Sequence, residues 1–143
     1  MFLLEVGNLK ENFAKYFSVE AAIDDALRHE VYRVRHEVYC EELGYEHTNS
    51  LHEETDQYDA RALQIALRAQ SSGRIVGCVR LVQTDPAAAD LPLPFEVLCA
   101  EHIDRSVIDP STMDRRHIVE ISRLAVLSDY RKRKGDGGGP IAI

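Results

Sequence analysis

The sequence predicts an α+β fold with a mostly antiparallel sheet, and three observations carry that reading. One stretch of about twenty residues repeats its apolar side chains at helical spacing. Two neighbouring stretches alternate at strand spacing across a short polar turn. A further strand-like run, Val119–Val126, follows late in the chain. The order strand, long helix, hairpin, short helix, strand belongs to an α+β layout rather than to repeated βαβ units.

Bulk composition agrees with one folded unit. The 143 residues are 45% hydrophobic and 29% charged. That is enough for a sizeable core and for a single domain over 1–143, with no internal repeat. The formal net charge is −7. This disfavours nucleic-acid binding, which needs a basic face. The charge is uneven, because Arg131, Lys132, Arg133 and Lys134 form a basic run on an otherwise acidic chain. Such a run suits a small anion or an acidic partner. Cys40, Cys78 and Cys99 fit neither a disulfide framework nor a zinc motif. They read as small core residues in a reducing compartment. Met1–Leu4 is too short for a signal peptide or membrane span, so the expected location is cytoplasmic.

In chain order, residues 1–15 suit a short amphipathic helix and Tyr16–Ala22 a strand. Asp24 is a good N-cap. Behind it Leu27, Val31, Val34 and Val38 recur at helical spacing, widened by Tyr32, Tyr39 and Leu43. One helix from about Asp25 to Leu43, stopped by Gly44, is the expectation. Gly44–Tyr58 is a polar loop. Its His47 and His52 lie near Glu53, Glu54, Asp56 and Asp59, but at irregular spacing, so a solvated loop is expected and no metal is assigned. Leu63, Ile65 and Leu67 alternate with smaller or polar residues. Ser71–Gly73 turns the chain, and Ile75–Val82 completes a hairpin. Three prolines mark Thr84–Pro94 as loop. Phe95–Ile103 suits a short helix, Asp104–Arg116 is irregular, and Ile118–Leu127 is the last strand. Gly135–Ile143 reads as a flexible glycine-rich tail. Little follows the last strand, so the chain is expected to lack part of a C-terminal half.

Six charges occupy places where apolar residues belong: Arg35 on the helix, Asp56 and Asp59 after it, Arg80 in the hairpin, and Glu120 and Arg123 in the last strand. A buried unpaired charge is costly, so these must pair or line a polar cleft. Each alone is explained by a structural ion pair. Together, from four elements, they favour a cleft for a zwitterion, with carboxylates for an ammonium and arginines for a carboxylate.

The ordered set Arg35-His36-Glu37-Val38-Tyr39, Leu43-Gly44-Tyr45, Glu54-Thr55-Asp56-Gln57-Tyr58-Asp59, Gly77–Val82, Phe95 and Glu120-Ile121-Ser122-Arg123 resembles the autoinducer-synthase superfamily. That superfamily holds acyl-homoserine-lactone synthases and N-acyl amino acid synthases. The likeness spans about Tyr32 to Arg133. Lactone synthases usually carry Phe and Trp where this chain has Tyr39 and Tyr45, positions that shape their S-adenosylmethionine pocket. The segments Val31–Gly44 and Leu91–Glu96 are more similar to acyltransferases associated with PEP-CTERM/exosortase systems.

The resemblance implies a GNAT-like fold and acyl transfer from an acyl-carrier-protein or CoA thioester to the amine of an amino acid or similar acceptor. It implies no tightly bound cofactor. Alternatives are a lactone synthase using S-adenosylmethionine and a non-catalytic acyl or amino-acid binder. Glu120 would take the amine's proton or orient the amine, with Arg123 as its catalytic partner. Arg35, Tyr39, Tyr45, Asp56, Asp59, Arg80, Phe95 and Ser122 would line the substrate site. Last-strand N–H groups would polarise the thioester carbonyl. A regular strand puts Glu120 and Arg123 on opposite faces. A bulge near Ile121 or Ser122, common in GNAT-like folds, would bring them to one side. Lys132–Gly137 is a weak match to a CoA loop. The basic run Arg131–Lys134, with Arg115 and Arg116, serves equally as a docking patch for an acyl carrier protein or as a solvated turn.

Overall fold

A computed structural model of the chain describes residues 2–85, 87 and 91–131. The architecture is α+β, with one four-stranded antiparallel sheet in the order β1-β2-β3-β4. The elements are α1 (Phe2–Tyr16), β1 (Phe17–Ala21), α2 (Asp25–Arg35), β2 (Ala62–Ala69), β3 (Ile75–Gln83), α3 (Pro94–Leu98), β4 (Val119–Val126) and α4 (Ser128–Arg131). Short 3₁₀ turns fill the stretch between α3 and β4. Among the described residues no helix is long and apolar enough to cross a membrane. Lys132, Arg133, Lys134 and the tail Gly135–Ile143 lie outside the described residues.

Asp24 caps α2, its Oδ1 accepting the Leu27 N–H at 2.8 Å. The helix then differs from the expectation of one continuous α-helix. From His36 to Glu42 it widens into π-helical turns, and the Leu43 N–H reaches back five residues to the Val38 carbonyl. Widening lets His36, Val38 and Cys40 all be buried. It also lets the Tyr39 hydroxyl reach the Leu124 carbonyl at 2.7 Å. Gly44 follows at φ 64°, a left-handed stop that suits glycine.

The core lies between α2 and one face of the sheet: Leu27, Val31, Val34 and Val38 above, Ala66, Ala69, Ile75, Val76, Cys78 and Ala125 below. The β2 face turned to α2 is the small and polar one, Gln64 and Ala66, while Leu63, Ile65 and Leu67 are only half-buried on the other side. Small residues let the helix approach closely. Cys40 and Cys78 are buried as a core reading requires, but Cys99 is exposed at the end of α3. That helix is shorter than the sequence suggests. Val97 and Leu98 are exposed, so no buried face exists to extend it.

At Gly77 the neighbouring strands approach closely. A Cβ there would stand 2.9 Å from the Ala125 carbonyl oxygen and 3.2 Å from both Leu67 Cδ2 and Val126 Cγ2. Backbone cannot yield as a flexible side chain does. Gly77→Ala is therefore expected to cost about 1–3 kcal/mol, read as a lower urea midpoint at unchanged m. An unchanged midpoint would refute the close approach.

Candidate active site

At one end of the sheet three guanidiniums meet three carboxylates. Arg35, the last residue of α2, is fully buried. Its Nε donates to Glu54 Oε2, and Nη1 and Nη2 grip the Asp59 carboxylate at 2.7 and 3.1 Å. Its guanidinium also lies over the Tyr32 ring at 5.3 Å. Arg80, equally buried, donates from Nη1 to Asp56 at 2.7 Å and Asp59 at 3.1 Å, and from Nε to the Ser122 hydroxyl at 3.2 Å. Gln64, Arg80 and Ser122 form one cross-sheet row on β2, β3 and β4. Asp59 is the hub, accepting also from the Asp56 N–H at 2.7 Å and Gln64 Nε2 at 2.9 Å. Burial by itself would push the Asp59 carboxyl up; the Arg35 and Arg80 donors and the Asp56 N–H outweigh it and hold the carboxyl below its usual range. Burial opposes the charge on Arg35 in the same way, yet Asp59 and Glu54 hold it more firmly protonated than an ordinary arginine.

Arg123 joins this cluster through a bulge. Arg80 pairs with Ser122 and Cys78 with Ala125, so Arg123 and Leu124 together oppose Val79. The bulge thus falls just after the Ile121–Ser122 position expected from the sequence. Arg123 sits at φ 52°, a conformation that costs a side-chain-bearing residue about 1 kcal/mol or more. Its side chain repays that strain. Nη2 lies 3.2 Å from carboxylate oxygens of Glu46, Glu54 and Asp56, and the guanidinium lies over the Tyr39 ring at 5.6 Å. Reaching Asp56, which Arg80 also holds, puts Arg123 on the same side of the sheet as Arg80 and Ser122. The freed Arg123 carbonyl accepts from the Cys78 thiol at 3.6 Å. Burial pushes that thiol up to about 12, so it stays neutral.

Glu120 shares the Ser122 face, two residues away, but takes no part in the cluster. Its carboxylate accepts the Phe95 N–H at 2.9 Å, at the head of α3. Among the described residues it has no cationic partner within ion-pair distance, unlike Glu54, Asp56 and Asp59. Phe95 in turn lines a half-open, mostly apolar pocket of about 490 Å³ with Ile103, Val107, Ile108, Met113 and Val119, and His102 and Asp104 also line it.

The family of the Acetyltransferase (GNAT) domain matches residues 34–137. The chain belongs to the GNAT acetyltransferase family. Two solved structures share its fold. The crystal structure of TofI in a ternary complex with an inhibitor and MTA superposes with a TM-score of 0.59 at 23% identity, covering 78% of this GNAT chain and 56% of TofI. The crystal structure of the AHL synthase LasI gives 0.58 at 24% identity, covering 87% and 58%. This chain thus spans little more than half of either neighbour's length. No curated protein matches it.

Within the GNAT sheet, then, the structure brings Arg35, Asp56, Asp59, Arg80, Ser122 and Arg123 together, with Tyr39 against Arg123. It places Glu120 beside them with Phe95. Tyr45 stands apart: it is 73% exposed, and its N–H donates to the Tyr39 carbonyl. Arg131 pairs with Glu42. Arg115 is committed to a bidentate pair with Glu96, and Arg116 pairs with Asp114. Two members went unassigned in the sequence. Glu54 is buried and bridges Arg35 to Arg123, and Gln64 is buried beside Asp59. Glu54 sits in a loop without periodicity. Its only signal was its place in the run Glu54–Asp59. Gln64 stands between Ala62 and Ala66 on the side of the strand away from Leu63, Ile65 and Leu67, a polar residue flanked by alanines.

Proposed function

We propose that this chain carries the amine-acceptor side of an N-acyltransferase. The enzyme moves a fatty acyl group from an acyl-carrier-protein or CoA thioester to the amine of an amino acid or similar small acceptor. The observation that carries the reading is Glu120, a carboxylate with no cation within ion-pair distance among the described residues, placed between the arginine–carboxylate cluster and a mostly apolar pocket. A carboxylate that is not neutralised is free to act as a base. The amine attacks the thioester carbonyl carbon, Glu120 takes the amine proton directly or through water, and as the C–S bond breaks that proton passes to the departing sulfur, which leaves as the thiol. Arg123 is the partly exposed arginine of the cluster, with 22% of its side chain open. It would hold an acceptor carboxylate, while Arg35 and Arg80 keep Glu54, Asp56 and Asp59 in place. The mostly apolar pocket beside Phe95 suits an acyl chain. Much of the rate would come from holding both substrates together. Arg131 and the basic residues after it are assigned to an acidic carrier protein, in the cytoplasm. The finer placement, beside PEP-CTERM/exosortase-associated acyltransferases, rests on the segments Val31–Gly44 and Leu91–Glu96.

A second reading is an acyl-homoserine-lactone synthase using S-adenosylmethionine. It is favoured by the likeness to an AHL synthase and to a structure holding MTA. One experiment separates them. The chain is incubated with acyl-carrier-protein or acyl-CoA thioester and either amino acids or S-adenosylmethionine, and products are identified by mass. N-acyl amino acids are expected. A lactone would favour the second reading, and acyl binding without product would reduce the chain to a binder.

A further inference from the structure

Three side chains that acyl transfer leaves unused converge on the far side of the π-helical segment. His36 and Glu41 come from that segment, and His52 comes from the loop after it. His36 is 1% exposed, while Glu41 and His52 are open to solvent. Glu41 Oε1 stands 3.3 Å from His36 Nδ1 and 3.5 Å from His52 Nδ1. One ligand atom from each of the three lies within 4.8 Å of the others. The two imidazoles meet edge to face, their centroids 5.2 Å apart.

The spacing itself is informative. Both nitrogen–oxygen separations exceed the roughly 2.7–3.2 Å of an ordinary N–H···O hydrogen bond. These two separations match the edge of a tetrahedron around a metal ion bound at about 2.0–2.1 Å, which is about 3.4 Å, and the third pair of ligand atoms lies within 4.8 Å. The backbone contributes a second observation. His52 is held at φ 53°, and with Arg123 it is one of two non-glycine residues in that region among those described. Arg123 has ion pairs to hold it there. The His52 ring is instead turned back against Glu41 and His36. Its loop is braced by Asn49, whose Oδ1 accepts from the Leu51 N–H at 3.0 Å and whose Nδ2 donates to the Glu53 carbonyl at 2.8 Å.

We propose that His36, Glu41 and His52 form a three-ligand site for a first-row divalent cation of the zinc type, with its fourth position open to water. Two imidazoles and one carboxylate are the donor set such ions accept. The exposed pair gives the ion its entry path, and buried His36 fixes the third corner. Binding through His36 Nδ1 puts the ring proton on Nε2, which faces the Asn49 N–H at 3.5 Å. That opposition makes the site weaker than a closed four-ligand structural site. Its effect is to fasten the π-helical turns to the loop that carries Glu54 and Asp56. The proposal is independent of the acyl-transfer reading.

The test is thermal unfolding of the 143-residue chain with added Zn²⁺, alongside visible absorption with Co²⁺. Saturating Zn²⁺ is expected to raise Tm by about 5 °C. Co²⁺ is expected to give the intense visible bands of four-coordination. Glu41→Gln and His52→Ala alter exposed side chains, so both should fold as the parent does, and both should lose the rise and the bands. His47→Ala and His117→Ala should retain them. No rise in the intact chain, or a rise that survives in both Glu41→Gln and His52→Ala, overturns the site.

Discussion

Arg35→Met is expected to destabilise the fold by about 3–5 kcal/mol, the cost of stranding a buried counter-charge. Methionine fills much of the arginine stem, so little of the loss is cavity. What remains is electrostatic. Glu54 and Asp59 lose three charge-assisted hydrogen bonds where the side chains are only 6% and 7% exposed. A fold of this size has about 5–15 kcal/mol in hand, so the variant sits near its limit. Arg123→Ala also strips a partner from Glu54, together with Glu46 and Asp56, but from a side chain 22% exposed, where water screens the pairs. A loss of about 1 kcal/mol is expected there. Urea unfolding of the two variants decides the matter. Equal losses would mean that the buried and rim arginines are energetically alike, against the division of labour drawn above.

Glu120→Gln is expected to lower acyl transfer about 10²–10⁴-fold, the range for removing a positioned general base. It should change Tm by little. Glutamine is nearly isosteric and keeps a carbonyl oxygen for the Phe95 N–H, the one side-chain hydrogen bond Glu120 makes among the described residues. The amide cannot take a proton. A structural carboxylate would behave the other way, with Tm and activity falling together. Measured kcat/KM beside Tm therefore separates the two roles. Activity retained within about threefold would remove Glu120 from the chemistry.

Much of this architecture is legible in the residues because periodicity reports burial. The α2 stripe from Leu27 to Val38, the hairpin around Ser71–Gly73 and the strand from Val119 each lie where their patterns put them. The misplaced charges, too, pointed to a cluster. What pattern does not carry is detail set by tertiary fit. The π-helical widening depends on burying His36, Val38 and Cys40 together against a sheet that the helix cannot see in its own sequence. The bulge at Arg123–Leu124 lets the guanidinium reach Glu46, Glu54 and Asp56, partners that lie far away in the sequence. Glu54 is buried by a loop, and loops have no period. Cys99 looked like core because its neighbours Val97 and Leu98 are apolar, yet all three face water.

The widened turns from His36 to Glu42 bear on how this chain tolerates changes of length. A π-turn holds one more residue per hydrogen-bonded ring than an α-turn. Loss of a single residue from this segment would relax it toward the α form rather than break it. The extra residue of the π-turns would absorb the deletion, so the chain beyond keeps its direction while the residues inside the segment shift around the helix axis. The Tyr39 hydroxyl would leave the Leu124 carbonyl, and the ring would leave Arg123. A one-residue deletion in these seven residues is thus mild for folding and severe for the cluster. Two otherwise similar chains that differ by one residue here would aim different side chains at the same cleft.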